Sequence, residues 1–285
     1  MKKSKKSFKG LALVMAMALT FGFTGITAQA QTKTSNITLL KGEKVNYSYI
    51  GLGTIKKVKT SNKKIVAAKK YQGGSRMTAK KVGKANITVT GTNGNWIHKV
   101  TVKKPDFKVK YSSTKDGDIL VSLQNKTSVY VDNFTITLIF KDSQGNQVTT
   151  KSAYMYYVGP KAKAYEIVNN PAEYYSNIDL NKTTYKITYN RSADATYKKY
   201  SAVTFSDKKT SNNYIAAKAK TKYKGNGYIY IAYEVKFYDV NKNLIDVTCY
   251  TASLSKSVKS KTTEIYMPSS AASYKITKRV YLKNY

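Results

Sequence analysis

One stretch of this chain occurs twice. It reads ITLIFKDSQGNQV at residues 136–148 and, 97 residues later, YEVKFYDVNKNLI at residues 233–245. Each copy is an alternating strand, a polar turn and a second strand, the pattern of a β-hairpin. At period two, the core face of the first strands is predicted to hold Ile136, Leu138 and Phe140 in one copy and Tyr233, Val235 and Phe237 in the other. A repeat of this length predicts a duplicated domain.

The remaining sequence is also rich in strand signals. Thr, Val, Ile and 26 Tyr alternate with polar residues, and turns rich in Asn, Gly, Asp and Ser follow every 8–12 residues or so. This pattern predicts an all-β protein of three tandem β-sandwich (Ig-like) domains. Their expected bounds are 31–104 for the first domain, with Pro105 at its end, then 105–192 and 193–285 for the two copies of the repeat.

The first 30 residues predict an export signal. A lysine-rich start is followed by an apolar run from Leu11 to about Phe23 and by the small residues Ala28 and Ala30. The alternative, a retained membrane anchor, is disfavoured because the run is shorter than the roughly 20 residues that span a bilayer. We therefore expect cleavage after Ala30 and a secreted chain without a membrane span.

The segment 31–104 carries seven short strand signals and three characteristic stretches: LKGE at 40–43, VKTSN followed by IVA at 58–67, and MTAKKVGKANITV at 77–89. In these stretches the segment resembles a bacterial Ig-like domain of group 2. Gly83 stands where the family needs a glycine turn, while Val58 replaces the tryptophan of many members. The resemblance implies a structural spacer or adhesive module without catalytic residues.

In each of the two later copies a strand ends in an aromatic residue and an aspartate before a turn: Phe140 with Asp142, and Phe237 with Asp239. In this pattern the copies are similar to FxLYD-type β-sandwich modules of secreted bacterial proteins, although the leucine is missing. A further match joins Tyr185-Lys-Ile-Thr188 to Tyr274-Lys-Ile-Thr277, with eight residues deleted.

Positive charge is distributed unevenly along the chain. Residues 31–104 carry 17 Lys and Arg against one acid, residues 105–190 carry 10 against 8, and residues 191–285 carry 18 against 6. Two basic segments thus flank a nearly neutral one. This segregation indicates that the basic segments meet a polyanion.

Two groups of lysines are the candidate polyanion-binding residues. Lys218, Lys220, Lys222 and Lys224 alternate with smaller residues, so on one extended strand their ammonium groups would recur at roughly 6.5–7 Å. The second group is Lys56, Lys57, Lys59, Lys63, Lys64, Lys69 and Lys70. The alternative for both is protection of an edge strand, since lysines there discourage pairing with other sheets. Outward tyrosines of 154–157 and 228–233 offer stacking surfaces for sugars or bases, or else simply pack.

Catalytic and metal-binding patterns are weak. Residues 239–246 begin like a calcium loop but lack its glycine and its bidentate glutamate, which favours a turn whose side chains bond their own backbone. Cys249 is expected to face a strand interior, and His98, the single histidine, an exposed strand face. We therefore predict no enzyme activity, no cofactor and no metal.

The sequence thus favours a secreted, non-catalytic binding or adhesion protein. Its expected partner is an anionic wall polymer or glycan of the teichoic acid kind, or a host surface component; secretion makes nucleic acid a secondary ligand. With no LPxTG-type sorting motif or lipidated cysteine in the sequence, charge is the expected means of retention on the cell surface. The alternatives are a structural or accessory secreted protein without an anionic ligand and, third, a secreted enzyme.

Overall fold

The computed structural model describes residues 31–192, 196–210 and 213–284, and these form an all-β structure. The predicted export signal, residues 1–30, lies outside the described residues. Six sheets form three pairs, and each pair encloses its own cluster of buried apolar side chains. The all-β prediction is therefore confirmed, with each pair of sheets forming a β-sandwich.

The first sandwich contains seven strands, where the sequence predicts seven. They are β1 (Gln31–Leu40), β2 (Lys44–Tyr47), β3 (Ile55–Thr60), β4 (Val66–Tyr71), β5 (Gly74–Ala79), β6 (Gly83–Gly91) and β7 (Gly94–Lys103). The sheets have the orders β1-β7-β6-β3 and β2-β5-β4. Strand β1 runs parallel to β7 over ten residue pairs, whereas the other neighbours are antiparallel.

Gly83 starts β6 in a conformation that favours glycine. Its φ is +147°, and a Cβ atom there would lie 2.7 Å from Cδ1 of Ile65. Both the backbone angle and the close approach of Ile65 explain why a glycine stands between these strands.

The second sandwich and the third share one topology. The second contains β8 (Phe107–Ser113), β9 (Ile119–Asn125), β10 (Val131–Lys141), β11 (Gln147–Val158), β12 (Lys163–Val168) and β13 (Asp179–Asn190), with a 3-10 turn at Pro171–Glu173. The third contains β14 (Thr196–Lys199), β15 (Val203–Lys209), β16 (Tyr214–Thr221), β17 (Tyr228–Tyr238), β18 (Leu244–Leu254), β19 (Ser260–Tyr266) and β20 (Ser273–Asn284). The orders β11-β10-β13 and β12-β9-β8 recur as β18-β17-β20 and β19-β16-β15. Strand β14 is an addition beside β20.

The repeated hairpin has the same geometry in both copies. Asp142 accepts a bond from the backbone N–H of Asn146 and Asp239 one from that of Asn243, each at 2.8 Å. Each asparagine also donates its side-chain amide to the same aspartate. These carboxylates thus bond the turn itself. The six residues predicted for the core face are fully buried, which confirms the period-two assignment.

The final strands of the two copies are offset from the sequence match. Tyr185 lies opposite Leu138 in one ladder, and the equivalent of Leu138, Val235, lies opposite Ile276 in the other. The structural counterpart of Tyr185 is therefore Ile276, two residues beyond Tyr274. Because the shift is two residues, each side chain of the strand still faces the same side of the sheet. The four-letter sequence match therefore fits the alternation of faces although it gives the wrong register.

Buried polar contacts join the second sandwich to the third. Arg279 of β20 forms an ion pair with Glu234 of β17 at 2.7 Å and donates to the backbone oxygen of Tyr156 in β11. Lys283 lies 3.3 Å from Asp132 of β10. The contact between the two sandwiches therefore includes charged side chains that are paired with carboxylates or bonded to the backbone.

Arg191, just after β13, reaches back to the first sandwich. Its guanidinium lies 3.3 Å from Glu43 and donates to the backbone oxygen of Thr38. Both side chains of the ion pair are largely buried. The first sandwich is thus held to the end of the second by a partly desolvated charge pair.

Candidate polyanion-binding faces

Strand β16 lies in the centre of its sheet, between β15 and β19. Lys218 and Lys220 of this strand are exposed, while Ala217, Ala219 and Thr221, which alternate with them, are buried. The predicted alternation is therefore confirmed for this part of the strand. The edge-protection alternative is wrong for Lys218 and Lys220, because both neighbours of β16 are present. Strand order depends on distant pairing, which the local sequence does not reveal.

The prediction that four lysines share one extended strand is wrong in its second half. Strand β16 ends at Thr221, whose hydroxyl donates to the backbone oxygen of Ala202 and accepts from the N–H of Tyr223. Lys222 and Lys224 therefore lie beyond the ladder, although both are exposed. A regular spacing of ammonium groups holds only for Lys218 and Lys220.

Residues paired across the ladders share a face of the sheet, and small hydroxyl side chains flank both lysines. Lys218 lies opposite Ser206 and Thr262, and Lys220 lies opposite Thr204 and Ser260. All four of these neighbours are exposed. Their side chains are shorter than those of the lysines and carry hydroxyl groups that can form hydrogen bonds.

A shallow cavity of about 480 Å³ lies at one end of this face. Its lining includes Lys220, Lys222, Lys259, Thr204 and Ser260. We call this cavity the lysine trough. The ammonium of Lys259 donates to the backbone oxygen of Tyr223. The lysines of this lining, together with the hydroxyls of Thr204 and Ser260, can hold a phosphate or carboxylate through charge and hydrogen bonds. Lys259 was not predicted from the sequence. It reaches this cavity because β19, which begins at the next residue, pairs with β16, and the residues around Lys259 in the sequence do not indicate that pairing.

The second group of predicted lysines lies along one side of the first sandwich. Lys56, Lys57 and Lys59 are on β3, Lys63 and Lys64 are in the following turn, and Lys69 and Lys70 are on β4. All seven are exposed. Strands β3 and β4 are both at sheet edges, so here the alternative of edge protection fits the observed position.

Several predicted tyrosine platforms are used for packing. Tyr233 is buried, and its ring contacts Phe205 within the third sandwich. Tyr157 and Tyr230 contact each other across the two sandwiches, with ring centroids 5.1 Å apart. These three rings are therefore occupied by the protein itself.

His98 is buried, so its predicted exposure was wrong. Its ring nitrogens lie 2.7 Å from Ser35 Oγ and 3.0 Å from Tyr49 Oη, and burial lowers its pKa to about 4. Val100 and Val102 on the same strand face are buried too. Extending their period-two pattern backward would have placed His98 in the core.

Cys249 also differs from its prediction. It pairs with Glu234 on β17 and so lies on the outer face of β18, on the side of the second sandwich. Burial raises the pKa of its thiol to about 11, although Arg279 opposes the rise. A thiol held neutral in this way is a poor nucleophile.

Burial and nearby carboxylates raise the pKa of Glu166 to about 8. Asp246 and Glu234 act in this direction, while Arg279 opposes them. Within the described residues no group of three or more His, Cys, Asp or Glu side chains is arranged to hold a metal ion. The charged chemistry of the exposed surface is thus mainly that of lysine.

Comparisons with known proteins name no family for this chain. No family model matches it, and no curated protein matches it. A solved structure that it resembles is trypsin-activated alpha-2-macroglobulin from Escherichia coli, at 7% identity and a TM-score of 0.18. The match covers 85% of this chain and 22% of that one. At that score the resemblance supports no functional argument. Among the described residues, no helix has the length and apolar character needed to cross a bilayer.

Proposed function

We propose that this chain is a secreted, non-catalytic binding protein that holds anionic cell-surface polymers or glycans electrostatically. The observation that carries the proposal is the position of Lys218 and Lys220 on a central strand, facing solvent beside the lysine trough. A central strand needs no protection against edge pairing, so these charges have no such structural role. We assign them a ligand role instead.

The surrounding charge supports the same conclusion. The segment 191–285 carries 18 Lys and Arg against 6 acids, and of those acids Glu234 is buried in an ion pair. The electrostatic potential outside this sandwich is therefore strongly positive. Such a field attracts extended polyanions from solution and weakens as salt screens it.

Binding to purified bacterial cell walls, with and without their teichoic acid, tests this function. The mature chain, residues 31–285, should bind the complete walls at low salt, and binding should fall steeply as salt rises. Removal of teichoic acid should release most of the protein. Absence of retention even at low salt would favour the alternative of a structural protein with no anionic ligand.

Two variants with equal loss of charge locate the binding face. In the first, Lys218, Lys220, Lys222 and Lys259 become Gln; in the second, the exposed Lys108, Lys115, Lys182 and Lys186 of the middle sandwich become Gln. The first variant should bind more weakly by about tenfold or more, equivalent to about 1.4 kcal/mol over four contacts. The second should bind nearly as the parent. Equal weakening in both would show that net charge alone retains the protein.

A further inference from the structure

Two exposed tyrosines lie at the opposite end of the face that carries the lysine trough. Tyr214 of β16 and Tyr266 of β19 are paired across the ladder, and their ring centroids are 5.6 Å apart in an edge arrangement. Their exposed fractions are 39% and 51%. The backbone N–H of Tyr266 donates to Tyr250 Oη, which ties β19 to the neighbouring sheet. The pair thus offers aromatic surface to solvent from an anchored position.

The tyrosine pair and the lysines belong to one continuous face. Tyr214, Ala216, Lys218 and Lys220 alternate along β16 and point to the same side. Lys220 lies six positions after Tyr214, which is roughly 20 Å at about 3.3 Å per residue. Between the two ends, Ala216, Ser206 and Thr262 contribute small side chains to the surface of this face. We call this strip the outer lane.

We propose that the outer lane binds an anionic polysaccharide, whose sugar rings stack on Tyr214 and Tyr266 while its acidic groups bind at the lysine trough. This inference rests on the proposed function and narrows the polyanion to one that also carries sugar rings. The length of the lane fits a segment of several sugar units in an extended conformation. A single small anion would fill only the trough.

The two ends of the outer lane offer different groups to a ligand: tyrosine rings at one end and lysine ammonium groups at the other. Exposed tyrosine rings present apolar faces to the C–H faces of a sugar, and their hydroxyls bond sugar hydroxyls. Glu264 lies opposite Ala216, between the tyrosine pair and Lys218, and is exposed. Its carboxylate accepts bonds from sugar hydroxyls but repels acidic groups. Lys208, opposite Ala216 on the other side, limits that repulsion.

This arrangement predicts an order of affinity among defined probes. Inorganic polyphosphate is an anionic polymer without sugar rings. It can bind at the lysine trough, but it also places phosphate groups against Glu264. A neutral glucan, dextran, gains nothing from the lysines. Two polymers supply both features: hyaluronate, with carboxylates, and a purified glycosylated teichoic acid, with phosphodiesters. Both should bind more tightly than polyphosphate of matched charge, and the tighter of the two identifies the source of the acidic group.

Removal of the aromatic surface is the decisive test. Tyr214→Ala with Tyr266→Ala should weaken binding of the better polysaccharide about tenfold, equivalent to about 1.4 kcal/mol, and leave polyphosphate binding unchanged. The control pair is Tyr174→Ala with Tyr175→Ala, two exposed tyrosines of the middle sandwich, and it should bind as the parent. Phenylalanine at 214 and 266 should retain most of the affinity, because the rings remain.

The outcomes distinguish this inference from the proposed function. If polyphosphate binds as tightly as the polysaccharides and the tyrosine variants change nothing, the inference is overturned while electrostatic binding stands. If none of the anionic probes binds at low salt, the proposed function itself fails. A thermal unfolding curve for each variant confirms that it is folded, so loss of binding through misfolding is recognised.

Discussion

Arg279 donates to Glu234 at 2.7 Å, and both side chains are almost completely buried, at 7% and 3% exposed, where the second sandwich covers the third. The guanidinium also donates twice to the backbone oxygen of Tyr156. Glu234 in turn accepts from the N–H of Tyr165. One ion pair of the third sandwich is therefore completed by backbone groups of the second.

Replacement of Arg279 by Ala should destabilise the chain strongly. Glu234 would remain buried without its cation, and loss of one partner of a buried pair costs about 3–5 kcal/mol. Denaturant unfolding measures the free energy of unfolding directly. The control is Lys278→Ala, which removes a more exposed pair with Asp207 at 3.6 Å and should cost less than about 1 kcal/mol. Equal effects would show that Arg279 is not a specific connector.

Glu166 should make the stability of the chain fall as pH rises. Its pKa in the folded protein is about 8, against an ordinary value of 4.5, so between these pH values the folded state binds more protons than the unfolded state. The free energy of unfolding therefore declines from about pH 4.5 to about pH 8 through this group. Asp246, whose pKa is also raised by burial, acts in the same direction.

The variant Glu166→Gln isolates that contribution. It should flatten the decline in melting temperature between pH 5 and pH 9 and leave the variant more stable than the parent at pH 9. The exposed Glu173→Gln should reproduce the parent's profile. Parallel pH profiles of the parent and of Glu166→Gln would contradict the assignment.

His98 should remain neutral well below its ordinary range. Burial lowers its pKa from 6.5 to about 4, so the folded state binds fewer protons than the unfolded state between these values. Stability through this group is thus lost as pH falls from about 6.5 to about 4. Because the chain has one histidine, its imidazole proton signals in an NMR titration belong to this residue. A midpoint near 6.5 would show that the ring is accessible to water.

Glu264→Gln should strengthen binding of anionic polymers to the outer lane. The change removes the carboxylate that lies beside the path of the ligand and keeps a hydrogen-bonding side chain. We expect a gain of about two- to fivefold at low salt, as for loss of a like charge near a surface site, and a smaller gain at high salt. Isothermal titration with polyphosphate and with hyaluronate measures it. Unchanged affinity for polyphosphate at low salt would place that polymer elsewhere.

Much of the fold was predictable because strand faces follow a local rule. Phe140 and Phe237 were assigned to the core from alternation alone, and both are fully buried. The same rule, applied backward from Val100, would have placed His98 correctly. At His98 the polar residue type and the strand position point to opposite faces, and the strand position determines where the side chain lies.

The candidate site was only partly predictable because it depends on which strands are neighbours. Exposure of Lys218 and Lys220 follows from alternation, but their central location and the approach of Lys259 require the pairing of β16 with β19. The pairing of Tyr214 with Tyr266 joins residues 52 positions apart in the chain. The outer side of β18, where Cys249 lies, is covered only because a second sandwich packs there.

The parallel pairing of β1 with β7 has a mechanical consequence. The chain enters the first sandwich at Gln31 and leaves it at Lys103, which lie at opposite ends of the same ten-pair ladder. Tension along the chain would therefore load all its hydrogen bonds together in shear, rather than peel them one by one. We expect the first sandwich to resist stretching better than its size suggests, and single-molecule force spectroscopy of the chain would measure this.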